Sequence, residues 1–88
     1  MSFAHRQLVI TRLMKAQQHT CAGPYCSTRL RTPVIDHDHD TDLVRGLLCG
    51  GCNTAEGRAN NADEPGWVQY RSATPAMSIG LRVMYGSL

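Results

Sequence analysis

Apolar positions recur along this chain with more than one period, and the period changes where the local structure is expected to change. From residue 2 to about residue 18, Phe3, Gln7, Ile10, Leu13, Met14 and Gln17 fall at three- and four-residue steps along one side, with Ser2 available as an N-cap. This spacing predicts an amphipathic helix ending near His19. Covering the core is the ordinary duty of such a helix. Its apolar face is large for so short a chain, so a second copy packed on it is a further expectation.

From Cys21 to Pro33 the periodicity disappears, and Gly23 and Pro24 inside a Cys-x4-Cys loop mark turns. Residues 33–37 then read as a short strand, with residues 43–46 as its partner and the polar stretch Asp38 to Asp42 as the connection: a hairpin with a longer loop. Residues 53–59 leave room for two helical turns, with Asn53 at the helix start. The run NNADEPG at residues 60–66 interrupts the chain. Beyond Trp67 two patterns compete: Ile79, Leu81, Val83 and Tyr85 alternate as in a strand, whereas Ala76, Ile79, Gly80, Val83 and Met84 fit a helix. The expected organisation is a single α+β domain with an N-terminal helix over 1–19, a core over 20–60 and a tail over 61–88 whose structure the pattern leaves open.

Eighty-eight residues bury a core that supplies only a few kcal/mol, so a staple is expected, and the four cysteines are the candidates. No signal-like segment and no membrane-length apolar run is present, which points to a cytoplasmic protein with no membrane partner. Reducing conditions there favour thiolates on a metal over disulfides. The formal charge of +2 does not by itself announce a nucleic-acid binder. Eight of the nine basic residues are arginine, the side chain that matches phosphate geometry better than lysine does, although it serves surfaces and ion pairs equally.

Cys21 and Cys26 form one short loop, and Cys49 and Cys52 form a second with Cys-x2-Cys spacing. Two such knuckles can close a tetrahedron of thiolates around one zinc, a set that leaves no open position for water. The zinc is then a structural staple, and any chemistry lies elsewhere.

The remaining candidate is Asp36-His37-Asp38-His39-Asp40-Thr41-Asp42. A calcium loop opened by Asp36 would need glycine at position 41 and glutamate at position 47, where Thr41 and Leu47 stand, so that reading fails. A solvated polar hairpin accounts for the acids but not for two histidines at alternate positions. A second zinc site from His37, His39 and a carboxylate is chemically workable but gives Asn53 no role.

A fourth reading rests on a resemblance. The two cysteine pairs, Asp36-His37-Asp38-His39, the segment Val44 to Cys49 (VRGLLC), Cys52-Asn53 and Ala55-Glu56-Gly57 together resemble the recombination endonuclease VII family within the HNH, or His-Me finger, nucleases. The likeness covers residues 21–57. The first knuckle departs from the family's common Cys-x2-Cys spacing, and the short tail gives no ground for junction specificity.

The resemblance implies a zinc-stapled ββα-metal domain that is a divalent-metal-dependent, HNH-type DNA endonuclease, phage-encoded and working in a bacterial host. It makes Asp36 and Asn53 ligands of a catalytic Mg²⁺ or Mn²⁺, His37 the general base, and His39 an aid at the phosphate. Arg45 and Arg58 are candidate phosphate contacts. Partners expected beside DNA are a second copy through the N-terminal helix or a phage protein. The alternative is a catalytically silent zinc module that binds nucleic acid or protein; the triplet Asp36, His37 and Asn53 favours the enzyme, because a binding module has no need of it.

Overall fold

The computed structural model describes residues 3–88. Helix α1 spans Phe3–Ala16, and the expected Ser2 cap lies outside the described residues. Val9 and Leu13, one turn apart, are its buried residues, flanked by half-buried Ile10, Met14 and Gln17. The expected face is thus rotated: Val9 belongs to it, while Gln7 is exposed and Phe3 is 78% exposed. Phe3, Ala4 and His5 are all exposed, so the first turn extends past what the core covers. The helix stops two residues early because Gln18 and His19 take left-handed conformations (φ 52° and 60°), and the His19 amide donates back to the Met14 carbonyl at 2.9 Å.

Gln17 follows this helix and joins it to the sheet. Its side-chain Nε2 donates to the Leu47 carbonyl at 2.9 Å, and its Oε1 accepts from the Leu47 amide at 2.8 Å. A side-chain amide thereby satisfies both backbone groups of a fully buried strand residue.

Strands β1 (Val34–His37) and β2 (Val44–Leu48) form the expected antiparallel hairpin, with β2 two residues longer at its end than its sequence pattern suggested. Every residue of β2 is buried, so it carries no alternation from which its end could be read. Val34 faces Leu48, Ile35 faces Leu47 and Asp36 faces Gly46, but His37 faces Val44, so Arg45 is an extra residue in β2 and the ladder bulges between Asp36 and His37.

Helix α2 spans Gly50–Glu56. It begins earlier than expected because the Cys49 sulfur, in an extended N-cap conformation, accepts from the Cys52 amide at 3.5 Å. Asn53 is consequently the fourth helical residue and not the first. The hairpin followed by a helix is the succession that the resemblance implied.

The tail holds two helices that the sequence pattern left open, α3 (Pro65–Ser72) and α4 (Pro75–Ser78). Each starts with proline at its first position behind a capping side chain, Glu64 and Thr74 respectively. Residues 79–84 are not helical and a single 3-10 turn follows at Tyr85–Ser87; across 79–85 the odd positions are the half-buried ones, as the strand-like alternation predicted. This segment runs beside β2: Met84 bridges Leu43, and the Val44 amide donates to the Val83 carbonyl at 2.9 Å. Leu88 is 2% exposed and joins Val9, Leu13, Leu47, Leu48 and Trp67 in the core.

Candidate active site and cysteine cluster

The bulge at Arg45 interrupts the hairpin between Asp36 and His37, two residues proposed from sequence for one site. Asp36 is 3% exposed. Arg45 grips it bidentately, Nε donating to Oδ2 at 2.8 Å and Nη2 to Oδ1 at 3.1 Å, and the Tyr70 hydroxyl donates to Oδ2 at 2.8 Å. Tyr70 reaches this carboxylate across Gly46. A Cβ at position 46 would lie 3.2 Å from the Tyr70 oxygen and 3.0 Å from Pro75 Cγ, which accounts for glycine opposite Asp36.

The network continues through Glu56 of α2, whose Oε2 lies 3.1 Å from Arg45 Nη2 and 3.0 Å from Arg71 Nη1. Arg71 also donates to the carbonyls of Asn61 and Ala62, at 2.8 and 3.0 Å, and so fastens the turn between α2 and α3. Two arginines and two carboxylates thus alternate through the interior, each charge facing an opposite one. Burial opposes charge on Arg45, but the hydrogen bonds and field of Asp36, with Glu56 adding to them, outweigh it and hold the guanidinium protonated above its ordinary range. Burial, then the Asp36 charge, push the Tyr70 hydroxyl well above the usual phenol range, so Tyr70 remains a donor.

His37 lies on the other side of the bulge and is half-buried. Its ring stacks on Tyr85 (centroids 4.2 Å apart, planes 8° apart) and on His39 (4.9 Å, 23°). Between the two histidines Asp38 organises the turn: its Oδ1 accepts from the amides of Asp40 (2.7 Å) and Thr41 (3.1 Å), and these bonds hold its carboxyl below the ordinary range. The alternating acids therefore have local duties. Asp42, at φ 64°, accepts from the Tyr85 amide with its carbonyl (2.7 Å) and from the Gly86 amide with its carboxylate (2.8 Å).

Asn53 is exposed on α2, which packs against both strands, and its side-chain amide has no hydrogen-bond partner among the described residues. Arg58 is exposed just beyond α2, whereas Arg45, the other expected phosphate contact, is buried with its guanidinium on Asp36 and Glu56. A carboxylate has about four acceptor positions. Three of those on Asp36 are taken, leaving one at Oδ1. One open carboxylate position does not make a closed cage.

The cysteines do form a closed set. All four thiols are free, and their sulfurs lie within 4.8 Å of one another. They are the only group of three or more His, Cys, Asp or Glu side chains among the described residues that converges in this way, so His37 and His39 gather no such set around a second zinc. Amides of Gly23 and Cys49 donate to the Cys21 sulfur at 3.4 and 3.3 Å. A Cβ on Gly23 would meet the Cys52 sulfur at 2.6 Å, so only glycine lets the first loop close on the second. Burial pushes the Cys21 thiol up, and burial with hydrogen bonds from Cys21 and Cys49 pushes Cys52 far up, whereas the Thr28 hydroxyl and amide draw Cys26 down to about 7. Four sulfurs so close cannot all ionise without a cation among them. The donor set fits a structural zinc.

Sequence reasoning missed Tyr70, Arg71 and Tyr85 as parts of this region, and gave Glu56 no firm role. They come from α2 and the tail, whose two competing patterns carried no sign that it folds back on the hairpin. No helix among the described residues is long and apolar enough to cross a membrane. No curated protein and no solved structure matches the chain significantly. A family model for recombination endonuclease VII matches residues 3–73, from the start of α1 to the end of α3. With the hairpin, the following helix and the cysteine cluster already in place, that match over most of the chain establishes that this protein belongs to the recombination endonuclease VII family.

Proposed function

We propose that the protein is an intracellular, divalent-metal-dependent DNA endonuclease of the HNH type, nicking or cutting duplex or branched DNA. The observation that carries this reading is the bulge at Arg45, which frees the chain from strict alternation where Asp36 and His37 adjoin. The zinc knot supports it from below: Cys49 caps α2 and Cys52 precedes Asn53, so the metal staple fixes the helix that bears the second proposed ligand.

His37 is the general base in this reading. An imidazole nitrogen is a stronger base toward water than a carboxylate is. Asp36 and Asn53 would hold the cation, which when bound supplies charge stabilisation at the phosphate and leaving oxygen. Arg45 and Tyr70 fix the orientation of Asp36. His39, exposed and stacked beside His37, would donate to a phosphate oxygen in this reading. Exposed Arg58 adds a backbone contact, while buried Arg45 acts through Asp36. Exposed Phe3 and Leu8 on α1 support pairing of two copies through that helix, which sedimentation with and without DNA tests.

One observation favours the silent zinc module: Asp36 already uses most of its acceptor capacity inside the protein. Supercoiled plasmid with Mg²⁺ or Mn²⁺ separates the readings. The wild type should relax or linearise it and lose that ability in EDTA, with His37→Ala and Asn53→Ala inactive. Equal cleavage by all three proteins would indicate a contaminant and remove the site assignment.

A further inference from the structure

We infer that Tyr85, in the C-terminal segment beyond the family match, is a positioning residue for His37 that fixes the plane of its imidazole. The inference rests on the reading of His37 as the base.

A histidine ring turns easily about its terminal torsion, which is broad and roughly two-fold, whereas a general base works only when its nitrogen is held within hydrogen-bond reach of the water it deprotonates. His37 is the last residue of β1, across the bulge from Asp36; its pairing with Val44 places the backbone but does not set the plane of the ring. The Tyr85 ring lies 4.2 Å from it with planes 8° apart, close enough to block rotation out of plane.

Tyr85 is itself held on several sides. Its amide donates to the Asp42 carbonyl, the next amide donates to the Asp42 carboxylate, Met84 bridges Leu43, and Leu88 is sunk in the core. The Arg6 guanidinium carbon of α1 lies 5.8 Å from the Tyr85 ring centre, within cation–π reach. The histidine pair belongs to the matched family segment of residues 3–73, but the ring that orients it comes from outside that segment. The tail thus takes part in the site as well as closing the core.

The test compares Tyr85→Leu and Tyr85→Phe in Mg²⁺-dependent nicking of supercoiled plasmid at varied plasmid concentration, with the His37 ring protons followed by NMR. A displaced base costs on the order of 100-fold. Tyr85→Leu should lower kcat about 10- to 100-fold at unchanged KM, and the His37 ring protons should lose the upfield shift that a stacked ring imposes. Tyr85→Phe should keep both kcat and the shift, since the flat ring and not the hydroxyl does the positioning. If Tyr85→Leu fails to fold, Tyr85→Met fills the space without a ring and is expected to behave the same way. Wild-type kcat in the folded ringless variant, with His37→Ala inactive, overturns the inference and leaves the base reading standing. Undiminished cleavage by His37→Ala removes both.

Discussion

Arg45 holds both oxygens of Asp36, with Nε 2.8 Å from Oδ2 and Nη2 3.1 Å from Oδ1, in an interior where the two side chains are 9% and 3% exposed. Only the planar guanidinium fork meets a carboxylate this way. The extra residue in β2 is what turns Arg45 toward Asp36, so the bulge and the ion pair are one feature.

Removing one partner from such a pair leaves a buried charge uncompensated, at a cost of about 3–5 kcal/mol. Arg45→Ala should therefore lower the urea midpoint by far more than an exposed arginine change such as Arg58→Ala, and Arg45→Lys should fall between them. Equal midpoints for the two alanine variants would show that the network contributes little.

Zinc affinity should fall with falling pH. Cys21 and Cys52 keep their protons above the ordinary thiol range when no cation is present, so zinc must displace those protons to bind. Acidification reverses the exchange, and the zinc-dependent part of the stability goes with it. A chromogenic chelator should capture about one zinc per chain, more readily at pH 5.5 than at pH 8; release independent of pH contradicts the four-thiolate site. Gly23→Ala should release zinc at a higher pH than wild type, because its Cβ presses on the Cys52 sulfur.

Asp38 should contribute stability that acid removes. Its folded carboxyl lies below the ordinary 3.8, held there by the Thr41 and Asp40 amides. A lowered folded value stabilises above the unfolded pKa and is lost as pH falls through the folded one. At neutral pH Asp38→Ala should cost about 0.5–1.5 kcal/mol for the turn bonds. The gap between wild type and variant in urea unfolding should narrow below about pH 4; a gap that widens with acid would reverse the assignment.

The hairpin, α1 and the cysteine cluster were legible because each follows from a local rule: short apolar runs on either side of a polar connection, helical spacing, paired Cys loops. Asp36 and His37 were legible as chemistry but not as geometry. Their surroundings depend on one inserted residue and on Tyr70, Glu56 and Arg71, which lie up to 35 positions away in the chain and carry no signal of partnership. Gln17 fell on the apolar face by helical spacing and is half-buried, yet its work is to bond the backbone of Leu47. The tail resisted because two four-to-eight-residue helices and an extended segment share one stretch too short for periodicity to separate.

Single-turnover cleavage of plasmid DNA by His37→Ala, beside wild type at the same Mg²⁺ concentration, tests the central claim most directly. Loss of a general base should slow strand scission about 10²- to 10⁴-fold, with zinc content and urea midpoint unchanged. A His37→Ala protein that cleaves at the wild-type rate would contradict the account.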